Sequence, residues 1–261
     1  MNAPAPLPAR WAELPRTAFA ALPAHAVAVL ALGATEQHGD HLPTGVDTLL
    51  TDAVLDRALG LLPPGTPVLA LPILSVTKSN EHAAWPGVLT LSAATLLAVL
   101  HDMAAAVAQA GVRRLVLLNG HGGNGALLEV AARDIRAAHG LVTAHASWFA
   151  FADLAPWPAE ALAHDLHAGD LETSAMLAVR PDLVDMGQAQ AGRVAPLGEG
   201  FGLSGPLRPG WLVPDLAPGG VMGDATAATA AKGQALVESA ARGLARALAA
   251  FCTPDFGKVA P

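Results

Sequence analysis

Cysteine is almost missing from this 261-residue chain. Cys252 stands alone, which excludes an intramolecular disulfide and any cysteine-rich zinc module. Charge is scarce as well. Charged residues make up 14% of the chain, well below the ~25% of ordinary soluble domains, and lysine occurs only at Lys78, Lys232 and Lys258. With a formal net charge of −7 and no basic stripe, the chain lacks the electrostatic footprint of a nucleic-acid binder. Long unbroken apolar runs are also absent. A membrane-spanning helix needs ~20 mostly apolar residues, but His101, Asp102 and Gln109 interrupt residues 92–112. Glu238, Arg242 and Arg246 do the same in residues 235–251. The opening MNAPAPLPARW has no basic segment followed by an apolar one, so it does not read as a secretory signal. These absences point to a cytoplasmic enzyme or binding protein with neither membrane nor nucleic acid as partner.

What the chain does have is apolar bulk and histidine. Hydrophobic residues reach 52%, which excludes disorder and, at this length, supports a large core. The low charge also fits a surface partly covered by sister subunits, so a homo-oligomer is expected. Ten histidines against three lysines is the unusual ratio. Histidine is the commonest metal ligand and the commonest acid–base group near neutral pH.

Apolar runs rich in Val, Leu and Ile at residues 26–33, 67–74, 114–119 and 141–147 read as buried strands. Continuous runs bounded by turn residues suit a parallel sheet covered on both faces. Helical patterns at 48–62, 92–110 and 125–139 alternate with them, with Ser92 as a candidate N-cap and Gly111 and Gly140 at C-terminal positions. This alternation predicts a three-layer α-β-α sandwich with a mostly parallel central sheet. A last helix over 226–250 follows a Gly/Pro-rich stretch, 187–223, too long for an ordinary connection and read as an active-site or interface loop. With no repeat and no clean linker, residues 1–261 are expected to form one domain. Ligands in such sheets lie beyond the carboxyl ends of the strands, so the chemistry is sought there.

After the first run, Glu36, His38, His41 and Asp47 gather in one turn-rich segment. Glu36 and His38 are two apart, so in extended chain they share a side. Asp47 alone reads equally well as a helix cap, but the carboxylate–imidazole mixture suits Zn²⁺ or Mn²⁺. After the third run comes Asn119-Gly120-His121-Gly122-Gly123-Asn124-Gly125. Gly120, Gly122 and Gly125 satisfy G-x-G-x-x-G between a strand and a helix, which keeps a nucleotide-binding oxidoreductase as an alternative. The acidic residue that such a site needs after the next strand is missing, since that run ends in Ser147. The same glycines also let the backbone approach closely and free His121 to point inward. A third segment carries His164, His167 and Glu172. On a helix starting near Gly169, Glu172 falls in the first turn, where the dipole favours a carboxylate. Standing alone, Glu172 would be a cap and His167 a core histidine.

Together these segments resemble the creatininase (creatinine amidohydrolase) family. The residues that carry the likeness are E-Q-H-G-x-H-L-P…D at 36–47, N-G-H-G-G-N at 119–124 and H-A-G-x-x-E-T-S at 167–174. Ser79-Asn80-Glu81-His82 with Trp85-Pro86-Gly87 fit too, as do Gly220-Val221-Met222-Gly223-Asp224 ahead of Lys232-Gly233. The resemblance implies a creatininase-like fold and a site for two divalent ions, Zn²⁺ or Mn²⁺, with Fe²⁺ as a further option. Glu36 and His121 would bind one ion, His38 and Glu172 the other, and Asp47 would bridge them. His167 and Glu172 would be the catalytic groups, with His167 protonating the leaving nitrogen, while Ser79, His82, His41 and Gly122 would meet the substrate. The implied reaction is hydrolysis of a carbon–nitrogen bond in a small amide, cyclic amides included, through a water bridging the two metals. Peptide, formamide and cyclic ketone or lactone substrates are the family's alternatives, and a hexamer its implied assembly. The chain departs from creatininase at Gly123, where that enzyme carries a carboxylate, and at Ala163 and His164, where it carries aromatic residues. His25, His101, His139 and His145 lie outside any motif and read as solvated or structural, and Trp85, Trp148, Trp157 and Trp211 as core or interface residues, with a pocket wall as the alternative for Trp85 and Trp148, which follow strands.

Overall fold

A computed structural model describes residues 10–196, 202–203 and 206–253. Most of the MNAPAPLPARW stretch and part of the 187–223 segment therefore lie outside the described residues. The four apolar runs form β1 (Val27–Leu32), β2 (Val68–Ala70), β3 (Arg114–Asn119) and β4 (Val142–Ser147), all parallel, in the order β2-β1-β3-β4. Alternation along the strands divides the core in two. Val27, Val29, Ala31, Val116 and Leu118 face α1 (Val46–Gly60), α5 (Asp170–Val179) and α7 (Ala230–Phe251). Ala28, Leu30, Leu32, Leu115 and Leu117 face α2 (Ala93–Gln109) and α3 (Gly125–His139). The fold is thus an α/β sandwich of three layers. A short α4 (Ala159–His164) precedes α5, while β5 (Ala191–Gly192), α6 (Val213–Leu216) and β6 (Gly223–Asp224) fall in or beside the 187–223 segment.

Three departures from the sequence expectation bear on the architecture. The second run pairs regularly only to Ala70, because Pro72 has no N–H to give to a ladder. Pairing resumes beyond it, where the Leu74 N–H donates to the Ala31 carbonyl at 3.0 Å. The fourth run was expected to be a buried strand, but β4 is the sheet's edge, half-buried, with His145 exposed. The last helix starts at Ala230 rather than 226, because Thr229 caps it by accepting from the Lys232 N–H. Among the described residues no helix is long and apolar enough to cross a membrane.

The strand order places the functional crevice. From β1 the chain crosses to β2 on one side, then returns to β3 on the other. The connections diverge between β1 and β3, so a crevice opens at the carboxyl ends of those strands. Glu36 and His38 follow the one, and His121 follows the other.

Candidate active site

Beyond β1 the chain folds into a tight loop closed by the Glu36 N–H, which donates to the Thr44 carbonyl at 3.0 Å. Within it the Glu36 carbonyl lies 3.2 Å from His38 Nδ1, which directs Nε2 of that ring inward. His38 Nε2 lies 3.3 Å from Asp47 Oδ1 and 3.7 Å from Glu172 Oε2. The helix α1 begins one residue before Asp47, with Gly45 at its cap, so the Asp47 side chain is free to turn into the site. Beyond β3, His121 presents Nδ1 to Glu36 Oε2 at 3.1 Å and to Asp47 Oδ2 at 3.3 Å. Glycine is required nearby, because a Cβ on Gly120 would lie 1.8 Å from Thr51 Oγ1 on α1.

The third segment arrives through an unusual turn. Ala168 is buried at φ +55°, a left-handed conformation uncommon for a residue with a side chain. The turn lets His167 pair with Met222 as an antiparallel bridge, while Glu172 enters the first turn of α5 and accepts from the Ala168 N–H at 2.7 Å. His167 Nε2 sits 2.7 Å from the Gln37 carbonyl and 3.2 Å from the Gln37 amide nitrogen; the nearer partner is an acceptor only, which favours the hydrogen on Nε2. Nδ1 of the same ring is left facing Glu36 Oε1 at 3.6 Å.

Charge and burial compete strongly here. Burial, then the neighbouring Asp47 charge, raises the Glu36 carboxyl above its ordinary value. Burial pulls Asp47 the same way, but His38 and His121 outweigh it and hold Asp47 well below the usual range. Burial alone would neutralise His38, yet Asp47 and Glu172 raise it to about 9. Glu172 is pushed up to about 7, chiefly by burial. Burial, with His38 and His82 beside it, drives His167 well below its usual value and keeps it neutral.

The structure brings Glu36, His38, Asp47, His121, His167 and Glu172 to one place, in three overlapping groups. Donor atoms of Glu36, Asp47 and His121 lie within 4.8 Å of one another, and so do those of His38, Asp47 and Glu172, and of Glu36, His38 and His167. Glu36 Oε1, His38 Nε2 and Asp47 Oδ2 are buried without a hydrogen-bond partner among the described residues. Buried polar atoms normally find partners, so such a set fits a cation, and its oxygen and imidazole donors suit a borderline divalent ion. A cavity of about 680 Å³ opens on this cluster, lined also by His82 and Gly122. Ser79 is not on its wall; its hydroxyl donates to Glu36 Oε2. His41 is likewise off the wall, with Nε2 2.9 Å from the Thr173 hydroxyl on α5.

The creatinine amidohydrolase (creatininase) family model matches residues 12–248. The chain belongs to the creatininase family. It is 36% identical over 211 residues to the mycofactocin precursor peptide peptidase of Mycobacterium ulcerans (strain Agy99), covering 79% of this chain and 78% of that protein. It is 37% identical over 177 residues to the creatinine amidohydrolase of Pseudomonas putida, covering 61% and 66%. A mutant creatininase of the Zn-Zn type superposes with a TM-score of 0.75 at 28% identity, covering 93% of this chain and 97% of that one. A manganese creatininase gives 0.73 at 27%, covering 93% and 98%. The chain is thus a creatininase-family hydrolase, and the cluster is a candidate centre for divalent metal.

Within this creatininase-family site, Gln37 and Glu81 carry roles that sequence reasoning left unassigned. The Gln37 amide nitrogen donates to the Gly220 carbonyl at 3.0 Å and lies 3.1 Å from His82 Nδ1. Glu81 Oε1 lies 3.1 Å from His121 Nε2. Both sit inside the quoted motifs, one between Glu36 and His38, the other beside His82. Trp211, expected in the core or at an interface, lines the cavity instead. Trp148 is fully buried, as a core residue should be.

Proposed function

We propose that the chain is a metal-dependent amidohydrolase that splits the carbon–nitrogen bond of a small carboxamide, cyclic amides included. The observation that carries this reading is the interlocking of two donor groups through Asp47. Glu36 and His121 would hold one ion, His38 and Glu172 the other, and Asp47 both, with Zn²⁺ or Mn²⁺ preferred and Fe²⁺ accommodated. Such ions lower the pKa of water toward neutrality and polarise the attacked carbonyl.

The chain's own residues supply the rest. An amine leaves poorly as an anion, so its nitrogen needs a proton as the bond breaks. His167 is neutral with Nδ1 open toward the site, and its Nε2–H is anchored on the Gln37 carbonyl. It would take at Nδ1 the proton that the attacking water gives up and deliver it to the leaving nitrogen without turning its ring. Glu172 faces the same space from the N-terminus of α5. The Ser79 hydroxyl donates to Glu36 Oε2 and fixes that side of the carboxylate, while His82 Nε2 lies 3.4 Å from Oε1.

A second reading, a peptide bond as the target, is favoured by the cavity. About 680 Å³ is room for a drug-sized ligand, far beyond one small ring. Leu166, Leu203, Pro209, Trp211 and Met222 give it an apolar wall, while Lys78, Asn80 and Glu81 line it with polar groups. The mycobacterial relative is named for a peptide substrate. The nucleotide alternative is not favoured: Gly120 is needed against Thr51, and His121 is turned into the acidic cluster. We also propose a homo-oligomer, a hexamer by family likeness, supported by the half-exposed edge strand β4 and read by light scattering.

Metal analysis tests the central claim. The purified chain should carry Zn²⁺, Mn²⁺ or Fe²⁺, and Glu36→Gln should lower the content. A metal-free chain that takes up none of these ions, or an unchanged content in the variant, would falsify it. A panel of cyclic amides, formamides, lactones and short peptides then separates the substrate readings.

A further inference from the structure

We propose that Glu81 is a positioning residue whose carboxylate holds His121 from the side of the ring facing away from Glu36 and Asp47. The two nitrogens of His121 meet different neighbours. Nδ1 faces Glu36 Oε2 at 3.1 Å and Asp47 Oδ2 at 3.3 Å, whereas Nε2 lies 3.1 Å from Glu81 Oε1 and 3.1 Å from the Lys78 carbonyl. A neutral imidazole carries one N–H, and it goes where acceptors wait for it. With an ion held by Glu36 and Asp47, Nδ1 would turn its lone pair to that ion, and Glu81 and the Lys78 carbonyl would take the one remaining hydrogen at Nε2. A carboxylate behind a ligating histidine also makes the ring a better donor.

The chain is built around this contact. A Cβ on Gly123 would lie 1.8 Å from Glu81 Oε1 and 2.4 Å from His121 Nε2, so position 123 is left bare for space. Its φ is not in the left-handed region, and conformational freedom does not explain the glycine. Lys78 Nζ lies 3.6 Å from Glu81 Oε2 and steadies the other carboxylate oxygen. The single turn Asn80–His82 therefore sends Glu81 to His121 and His82 to Glu36. Positioning from this turn reaches two members of the cluster at once.

The inference rests on the metal reading above, and its test is binding rather than turnover. Zn²⁺ affinity is measured by chelator competition on the full chain, as wild type, Glu81→Leu and Glu81→Gln, with Co²⁺ absorption as a second readout. Glu81→Leu fills similar space without an acceptor and should weaken Zn²⁺ by ~10–100-fold, with an altered Co²⁺ band. Glu81→Gln keeps an acceptor oxygen and should recover most of the affinity and the wild-type band. Glu81→Ala replaces the leucine variant if that one does not fold. Wild-type affinity in the leucine or alanine variant overturns the assignment of Glu81 alone, as does a loss that Glu81→Gln shares in full. A wild-type chain that binds no divalent ion overturns the metal reading, and this one with it.

Discussion

Asp47 is the residue shared by the group with Glu36 and His121 and the group with His38 and Glu172, the two that would each hold an ion. Buried beside His38 and His121, it stays charged although burial opposes it. Loss of Asp47 should therefore cost more metal than loss of any single neighbour. In Asp47→Asn both ions are expected to go, and in Glu36→Gln chiefly the one shared with His121; elemental analysis of dialysed protein distinguishes the two patterns. Ser79→Ala is a milder case. It removes one hydrogen bond to a carboxylate that stays in place, so metal affinity should fall toward the lower end of ~10–100-fold. An unchanged zinc titration would count against Ser79 as a support of Glu36.

Among the elements, α5 matters most, since it carries Glu172 and is pressed against α7. A Cβ on Gly233 of α7 would lie 1.7 Å from the Ser174 carbonyl of α5. Gly233→Ala is expected to destabilise the fold by ~1–3 kcal/mol, read by denaturant unfolding, because overpacked helices must part. Ahead of α5, Asp165 accepts from the Leu171 N–H at 3.1 Å, and burial raises its pKa from 3.8 to about 6. A raised carboxyl favours the fold in its protonated form, so its contribution is full below pH 3.8 and is lost as pH rises through about 6. Wild type should accordingly gain on Asp165→Asn between pH 7 and pH 4 in thermal unfolding. A constant difference across that range would exclude Asp165 as the source.

At the scale of the whole molecule, metal and fold are linked. Three carboxylates and three imidazoles converge at the ends of β1 and β3 and the starts of α1 and α5, so an ion held there would bind the native chain and not the unfolded one. At a free metal concentration a hundredfold above Kd, such binding stabilises by ~2.7 kcal/mol. Chelation should lower the unfolding temperature, and Asp47→Asn should show little further fall. Equal unfolding temperatures with and without chelator would mean that the cluster holds its metal too weakly to matter for the fold.

The sequence by itself determined the parallel sheet, its two-sided cover and the identity of the clustered residues. Local pattern suffices for the sheet, since apolar runs such as residues 114–119 must be buried, whereas His167 and Glu172 joined the set through the resemblance of three motifs to the creatininase family. Local pattern could not show that β4 is an edge, since its residues are apolar enough for either place and only its neighbours decide. Nor could it separate His41 and Ser79, which brace Thr173 and Glu36, from His82 and Gly122, which line the cavity. Glu81 is the clearest case. Its carboxylate reaches a histidine 40 positions away, past a glycine whose missing side chain makes room. Only the tertiary fold decides such a contact, because it depends on how the strand ends and the 80–82 turn pack together.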